Sequence, residues 1–195
     1  MKTKNKIAIA ALLLCGGLLT GAGYGIMNSK EASAQETTPI FEVQSVSLRI
    51  PDATYGEGMR FTIVMDMDTY TNKNVANLMS GVLLIPEYAL GEEELTLDLE
   101  NSALKNVSVT WSESNDGEFM QVYLHVYNVP PMEYTTDLCV RAYVDDGNAE
   151  TAPIYTDVAI SSVAKAADWL YDNDTSLTEE EKVALKATYL TYDVF

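Results

Sequence analysis

Much of the chain alternates between apolar and polar residues, which is the pattern of β-strands with one buried face. The clearest run is 59–68, where every odd position from 59 to 67 is apolar. Residues 41–50 also alternate, but the step from Val43 to Val46 breaks the period of two and predicts a β-bulge. Residues 81–85 are apolar throughout and stop at Pro86, so we expect a buried central strand there.

Later stretches repeat the alternation and bring the total to about eight predicted strands. An Asp-Gly pair at 116–117 predicts a hairpin turn, and residues 145–148 predict a second turn. Short strands at such regular spacing are typical of a β-sandwich. The remaining predicted strands are residues 95–99, 107–111, 119–126, 134–144 and 154–158.

After residue 158 the apolar residues recur with the period of a helix. Val163, Ala167 and Leu170 fall on one helical face. The motif Thr178-x-x-Glu181 is a capping box and predicts the start of a second helix. The apolar stripe expected on this second helix is Val183, Ala184, Ala187, Leu190 and Val194. The predicted fold is mainly β, an Ig-like antiparallel β-sandwich of about seven to eight strands followed by one or two C-terminal α-helices.

The N-terminus has the pattern of a signal peptide. Three lysines precede an apolar run at 7–19, and Ala32-Ser33-Ala34 fits the small-x-small rule for cleavage. We expect cleavage after Ala34; the alternative is a retained anchor, because residues 7–27 are long enough to span a bilayer. The predicted organisation is a signal peptide at 1–34, a short polar lead at 35–39, a β-sandwich domain at 40–158 and a helical segment at 159–195.

The charge of the chain restricts its partners. Of the 195 residues, 12 are Lys or Arg and 29 are Asp or Glu, a net charge of −17. Nucleic acid and anionic membrane surfaces bind basic proteins, so we expect neither as a partner after signal cleavage. After that cleavage Cys139 is the one remaining cysteine, which excludes an intrachain disulfide and favours a bacterial secreted or extracellular protein. The oligomeric state stays open.

Acidic turns are the candidate metal sites. Asp145, Asp146 and Asn148 lie in one predicted turn, and Asp116 lies in another. Carboxylate and amide oxygens suit Ca²⁺, but the same residues form Asx turns without any metal. We therefore expect no cofactor and keep Ca²⁺ as the one candidate ion. His125 and Cys139 are too few for a protein zinc site.

Catalytic motifs are missing from the sequence. A Ser-His-Asp triad would have to use His125, and no Gly-x-Ser-x-Gly motif exists. Paired carboxylates for glycoside hydrolysis leave no signature in sequence spacing. We therefore expect a protein that is not an enzyme, with a small secreted hydrolase as the lesser alternative.

Aromatic residues are the candidate ligand-binding residues. The sequence holds 12 tyrosines and two tryptophans. Exposed aromatic rings beside polar groups are suited to stacking on sugar rings, whereas strand tyrosines also pack with their hydroxyls at the rim of a core. The candidates are Trp111, Tyr123, Tyr127 and Tyr143.

Several strand motifs occur in the order and spacing of a known module. They are Met59-Arg60-Phe61, Gly81–Pro86, Tyr134, Arg141-Ala142-Tyr143-Val144 and Val163–Ala167. Over about residues 46–170 the chain resembles a β-sandwich module, of unknown function, that recurs in large secreted and surface proteins of gut Firmicutes. It departs from that module at Val158 and Ala159, where an Arg-Ser pair is common, and in its additional final helix. The resemblance implies an extracellular accessory module.

Three hypotheses follow from the sequence. The first is a secreted or cell-surface, non-catalytic binding module whose ligand is a glycan or another surface protein. The second is a structural stalk or assembly element that docks through its C-terminal helix, with Val183, Ala187 and Leu190 exposed. The third is the small hydrolase.

Overall fold

The computed structural model describes residues 40–49 and 56–191, so the predicted signal peptide, the polar lead and Val194 lie outside the described residues. The described chain is mainly β, with two antiparallel sheets and C-terminal helices, as the alternation predicts. The strands are β1 (Phe41–Arg49), β2 (Gly58–Asp66), β3 (Met79–Pro86), β4 (Lys105–Ser108), β5 (Ser112–Glu113), β6 (Phe119–Tyr127), β7 (Leu138–Asp145), β8 (Ile154–Tyr155) and β9 (Ala159–Ser161). The helices are α1 (Met67–Asn72), α2 (Glu87–Leu90), α3 (Val163–Asn173) and α4 (Glu179–Tyr189), and single 3-10 turns span Val75–Asn77 and Pro131–Glu133.

Sheet A consists of four strands in the order β1-β2-β6-β5. The register between β1 and β2 shifts between Val43 and Ser45, which confirms the predicted bulge. The β5–β6 hairpin turns at Gly117, whose φ of 74° favours glycine. Since β5 pairs with β6 only at residues 120–121, most of the β6 edge has no strand beside it.

Sheet B has five strands, ordered β4-β3-β7-β8, with β9 also paired to β7. β3 lies between β4 and β7, so the apolar run at 81–85 is a central strand as predicted. β9 was not among the predicted strands, because three residues are too few to show an alternation. It leads directly into α3 and so joins the helices to this sheet.

The inner faces of the two sheets form one core together with the helices. Odd residues of β2 and even residues of β6 and β7 point into it, and the large side chains least exposed are Phe61, Ile63, Val82, Val140 and Tyr134. This arrangement is a β-sandwich closed on one side by α3 and α4.

The two helices begin where the sequence predicts and pack into the sandwich core. Ser162 caps α3, and the Thr178–Glu181 capping box is formed at the start of α4. The predicted stripe of α4 is wrong, because the buried residues are Leu185 and Tyr189. The exposed surface of Val183 amounts to 68% of the side chain's maximum. Leu190, which the docking hypothesis needs exposed, packs against the core.

The predicted strand at 95–99 is wrong. Residues 91–104 form an irregular segment that lies over the outer face of sheet B, where Leu95 is buried against Leu83 and Cys139. Its leucines alternate because every second side chain packs on the sheet, without the backbone joining a ladder.

The predicted strand at 107–111 is broken in the structure. β4 ends at Ser108, and β5 starts at Ser112 in the other sheet. The chain crosses between the sheets after Val109, whose N–H donates to the carbonyl of Ser80 at 3.1 Å. The predicted strand at 134–144 likewise begins late, at Leu138, because Tyr134 follows a 3-10 turn and is buried.

Candidate ligand-binding face

The candidate site is the outer face of sheet A, opposite the core. Since Met59 and Phe61 of β2 point into the core, Arg60 between them points outward. The cross-strand register places the outward residues in three rows across β1, β2 and β6. The rows are Ser45–Thr62–Tyr123, Ser47–Arg60–His125 and Arg49–Gly58–Tyr127. These three rows are called the ligand face below.

Arg60 lies at the centre of the ligand face. Its guanidinium carbon is 4.9 Å from the centroid of the Tyr123 ring, within range of a cation–π interaction. The Nε atoms of Arg60 and Arg49 and the Oγ of Ser47 are buried and have no hydrogen-bond partner. A buried polar atom without a partner costs free energy, so this part of the ligand face holds polar groups whose hydrogen bonds the described residues do not satisfy.

Arg141, on the outer face of sheet B, differs from Arg60 in that its donor groups have hydrogen-bond partners. Its Nε donates to the carbonyl of Thr156 at 2.9 Å, and one NH₂ group donates to Glu94 at 2.8 Å and to the carbonyl of Leu95 at 3.0 Å. Its guanidinium also lies 4.4 Å from the Tyr155 ring centroid. Arg141 therefore fastens the 91–104 segment to sheet B.

The arginines of the ligand face lack such partners. The ion pairs among the described residues are Arg141–Glu94 and Lys165–Asp137, so neither Arg49 nor Arg60 takes part in one. Burial, and then the charge of Arg49, lower the pKa of Arg60. An arginine nevertheless stays protonated at neutral pH. The ligand face therefore carries two arginines that have no acidic partner among the described residues, in a chain of net charge −17.

His125 is held between the two tyrosines of β6. Its Nδ1 shares a 2.5 Å hydrogen bond with the Tyr127 hydroxyl, and its ring meets Tyr123 edge-on at 6.3 Å between centroids. Burial lowers the pKa of His125, and the positive charges of Arg49 and Arg60 lower it further. The imidazole is therefore neutral at pH 7 and can both donate and accept a hydrogen bond.

Two grooves border the ligand face. One, of about 350 Å³, runs between β1 and the C-terminal end of α3 and is lined by Arg60, Ser47, Trp169 and Asn173, among others. The other, of about 380 Å³, separates the 107–110 crossing from β6 and is lined by Tyr123, His125 and Tyr127, among others. Both volumes fall within the usual range for small-ligand sites, about 300–1,000 Å³.

The backbone edge of β6 also faces the second groove. Ser114 donates to the carbonyl of Phe119, so the odd residues of β6 direct their backbone groups toward β5. β5 ends beside residue 121. The N–H and C=O groups of Tyr123 and His125 therefore point to an edge beside which the described part of the chain places no strand.

The structure brings together two of the four predicted ligand-binding residues. Tyr123 and Tyr127 lie on the ligand face, where Tyr123 is 44% exposed. Trp111 packs between Phe41 and Tyr70, each with its ring centroid 6.1 Å away. Tyr143 is buried on sheet B, against Gly81 and Tyr155, and its hydroxyl donates to Asn106.

The predicted metal-site residues are occupied by turn hydrogen bonds. Asp145 accepts from the N–H of Gly147, Asp146 from that of Asn148, and Asn148 from that of Glu150. Asp116 accepts from the Ser114 hydroxyl and from the N–H of Glu118, and these bonds lower its pKa. Within 40–49 and 56–191, no group of three or more His, Cys, Asp or Glu could hold a metal ion.

Sequence reasoning left several residues out of the candidate site. Arg49, Arg60 and Ser47 lie on strands that look ordinary in sequence, and His125 is considered from the sequence only for zinc binding and for catalysis. One sequence signal was available. The chain has three arginines, and two of them, Arg49 and Arg60, flank the turn between the first two predicted strands. Its one histidine lies on the same face of β6 as Tyr123 and Tyr127.

Comparison of the chain with protein-family models, with curated proteins and with solved structures finds no match. Among the helices of the described ranges, none has the length and apolar character needed to cross a membrane.

The electrostatics of the ligand face can be measured directly, because His125 is the one histidine in the sequence. In an NMR titration we expect its pKa below the usual 6.5. The variant Arg60→Gln removes a neighbouring positive charge and should raise it. A His125 pKa at or above 6.5, or one that Arg60→Gln leaves unchanged, would contradict the arrangement described here.

The lowered pKa of His125 also determines the direction in which stability changes with pH. A folded-state pKa below the unfolded value means that the unfolded chain binds the proton more tightly. The contribution of His125 to stability is therefore present above about pH 6.5 and is lost as the pH falls through the folded-state pKa. Urea unfolding of the wild type and of His125→Gln should show a smaller loss for the variant between pH 7 and pH 5.

Proposed function

We propose that this chain is a secreted or cell-surface, non-catalytic binding module that recognises a glycan on the outer face of sheet A. The observation that carries the proposal is the clustering of Arg60, Tyr123, His125 and Tyr127 between two grooves, with buried polar atoms that lack partners. Secretion belongs to the proposal and depends on the N-terminal signal sequence alone.

The chemistry of the ligand face suits a sugar. Tyr123 presents an exposed aromatic surface on which the apolar face of a sugar ring can stack. His125 and the backbone edge of β6 offer hydrogen-bond groups of both kinds to ring hydroxyls. A rigid sheet holds all of these groups, so the free-energy cost of ordering them on binding is small.

Binding without catalysis is supported by the composition of the three rows. Glycoside hydrolysis uses a pair of carboxyl groups on either side of the scissile bond. None of the nine residues in the rows is Asp or Glu. A ligand seated on the ligand face would therefore meet arginines, tyrosines, serines and an imidazole rather than the paired carboxyl groups of a glycoside hydrolase.

A glycan array tests the proposal. The purified wild-type protein should bind one class of sugar saturably. Tyr123→Ala should weaken that binding at least about tenfold, because an aromatic residue at the centre of a binding site commonly contributes more than about 1 kcal/mol. Tyr88→Ala is the matched control, since Tyr88 is 79% exposed on α2, away from the ligand face.

Two outcomes would overturn the proposal. The first is an array without saturable binding, which would direct the search to a protein partner. The second is a sugar that binds the wild type and both tyrosine variants equally, which would remove the binding from this face. Adding Ca²⁺ to a parallel array would test the acidic turns separately, since neither Asp145 nor Asp116 is one of the nine residues of the ligand face.

A further inference from the structure

We infer that the glycan bound by the ligand face is a short oligosaccharide bearing carboxylate groups, such as a chain of uronic acids. The inference depends on the proposed function and narrows its ligand class. The recognising group is Arg60, supported by Arg49, and the ligand carboxylate would serve as the acidic partner that neither arginine has within residues 40–49 and 56–191.

The comparison between Arg60 and Arg141 carries the inference. Both guanidiniums lie over a tyrosine ring on the outer face of a sheet. Arg141 has its Nε bonded to a carbonyl and its NH₂ group bonded to Glu94, whereas the Nε of Arg60 is buried without a partner. A carboxylate beside the guanidinium of Arg60 would supply the ion pair that Glu94 gives to Arg141.

The abundance of acidic residues makes the gap at Arg60 informative. The sequence has 29 Asp and Glu residues, yet none of those described forms an ion pair with Arg49 or Arg60. The neighbours that most affect the pKa of Arg60 are Arg49, Tyr123 and Tyr127, and none of these is a carboxylate. Arginine binds carboxylates through two parallel hydrogen bonds, so the guanidinium of Arg60 suits a planar anion such as a carboxylate.

The overall charge limits the length of the ligand. A net charge of −17 repels a long polyanion, but at physiological salt charges are screened beyond about 8 Å. A ligand of two or three sugar units stays close to Arg49 and Arg60 and away from most of the acidic surface. The two grooves beside the ligand face, about 350 and 380 Å³, also suit short ligands.

The test compares trigalacturonic acid with its fully methyl-esterified form by isothermal titration calorimetry of the full chain. The two compounds share their sugar rings and differ in charge. We expect the acid to bind at least about tenfold more tightly than the ester to the wild type, since hydrogen bonds to charged groups contribute about 1.5–3 kcal/mol. Arg60→Gln should abolish this preference.

Two further variants separate charge from geometry. Lys186→Gln removes one positive charge from α4, away from the ligand face, and should leave the preference unchanged. Arg60→Lys keeps the charge but loses the paired donors, so it should retain only part of the preference. Unfolding curves of all variants confirm that each protein is folded at the titration temperature.

The outcomes distinguish this inference from the proposed function. Equal binding of acid and ester to the wild type would overturn the inference and leave glycan binding intact. A preference that survives in Arg60→Gln would overturn the assignment to Arg60. If neither compound binds and the array is also blank, the proposed function is wrong and the inference is wrong with it.

Discussion

Replacing Tyr189 by alanine is expected to lower the free energy of unfolding by about 3–5 kcal/mol, the usual cost of deleting a large buried aromatic ring. Tyr189 is 2% exposed in the core between the two sheets. Its ring lies 5.3 Å from that of Tyr134, centroid to centroid. Burial, together with the nearby carboxylate of Glu57, raises its pKa, so the hydroxyl stays protonated. The loss would show that the C-terminal helices belong to the sandwich.

Val183→Ala on the same helix is the matched control. Val183 is 68% exposed, and surface substitutions of this kind usually change stability by less than about 0.5 kcal/mol. Both variants would be measured by urea unfolding with the wild type as reference. Equal losses for the two variants, or a larger loss for Val183→Ala, would mean that α4 packs through the stripe expected from the sequence.

The second large effect is expected at Arg141. Arg141→Met keeps much of the side-chain volume but removes the donors to the carbonyls of Thr156 and Leu95. Leaving these acceptors without partners should cost about 2–3 kcal/mol. The ion pair with Glu94 adds little to this, because the Glu94 side chain is 74% exposed.

The variant to compare with Arg141→Met is Arg60→Met, the same substitution on the ligand face. Since the Nε of Arg60 has no partner to lose, this variant should be destabilised by less than about 1 kcal/mol, mainly through the contact with Tyr123. Urea unfolding gives both values, and hydrogen exchange at residues 94–97 should speed up in Arg141→Met alone. A loss at Arg60 as large as that at Arg141 would make Arg60 a structural residue rather than a binding one.

In β6 the buried residues Met120, Val122 and Leu124 alternate with less buried ones, so the sequence carries the period directly, whereas β2 is buried at seven of its nine positions. The same pattern gave a wrong prediction at 95–99, where no strand forms. There the leucines pack over sheet B from an irregular segment, and a period of two does not require backbone pairing.

For the C-terminal helix α4, the sequence predicts where the helix starts but not which face is buried. The capping box locates its start from four residues, since the bonds that form it are local. Its buried face depends on what lies opposite, and the sequence offers Val183 and Ala187 as readily as Leu185 and Tyr189. In the structure the larger side chains, Leu185 and Tyr189, are the ones buried in the core.

The candidate site was predictable only in part. The residue types pointed to Tyr123 and Tyr127, because strand tyrosines near a turn are recognisable in sequence. Arg60 and Ser47 could not be added, since their meeting with His125 depends on the register of three strands from distant parts of the chain. Trp111 is equally aromatic, yet it is packed between Phe41 and Tyr70.

The most direct test of the account is the position of a bound sugar. Backbone amide signals of the full chain would be followed by NMR while trigalacturonic acid is added. The account predicts saturable shifts at Arg60, Tyr123 and Tyr127, with the signals of Leu95 and Tyr155 on sheet B unchanged. Saturable shifts confined to sheet B or to α4 would contradict it, as would the absence of any shift at millimolar ligand.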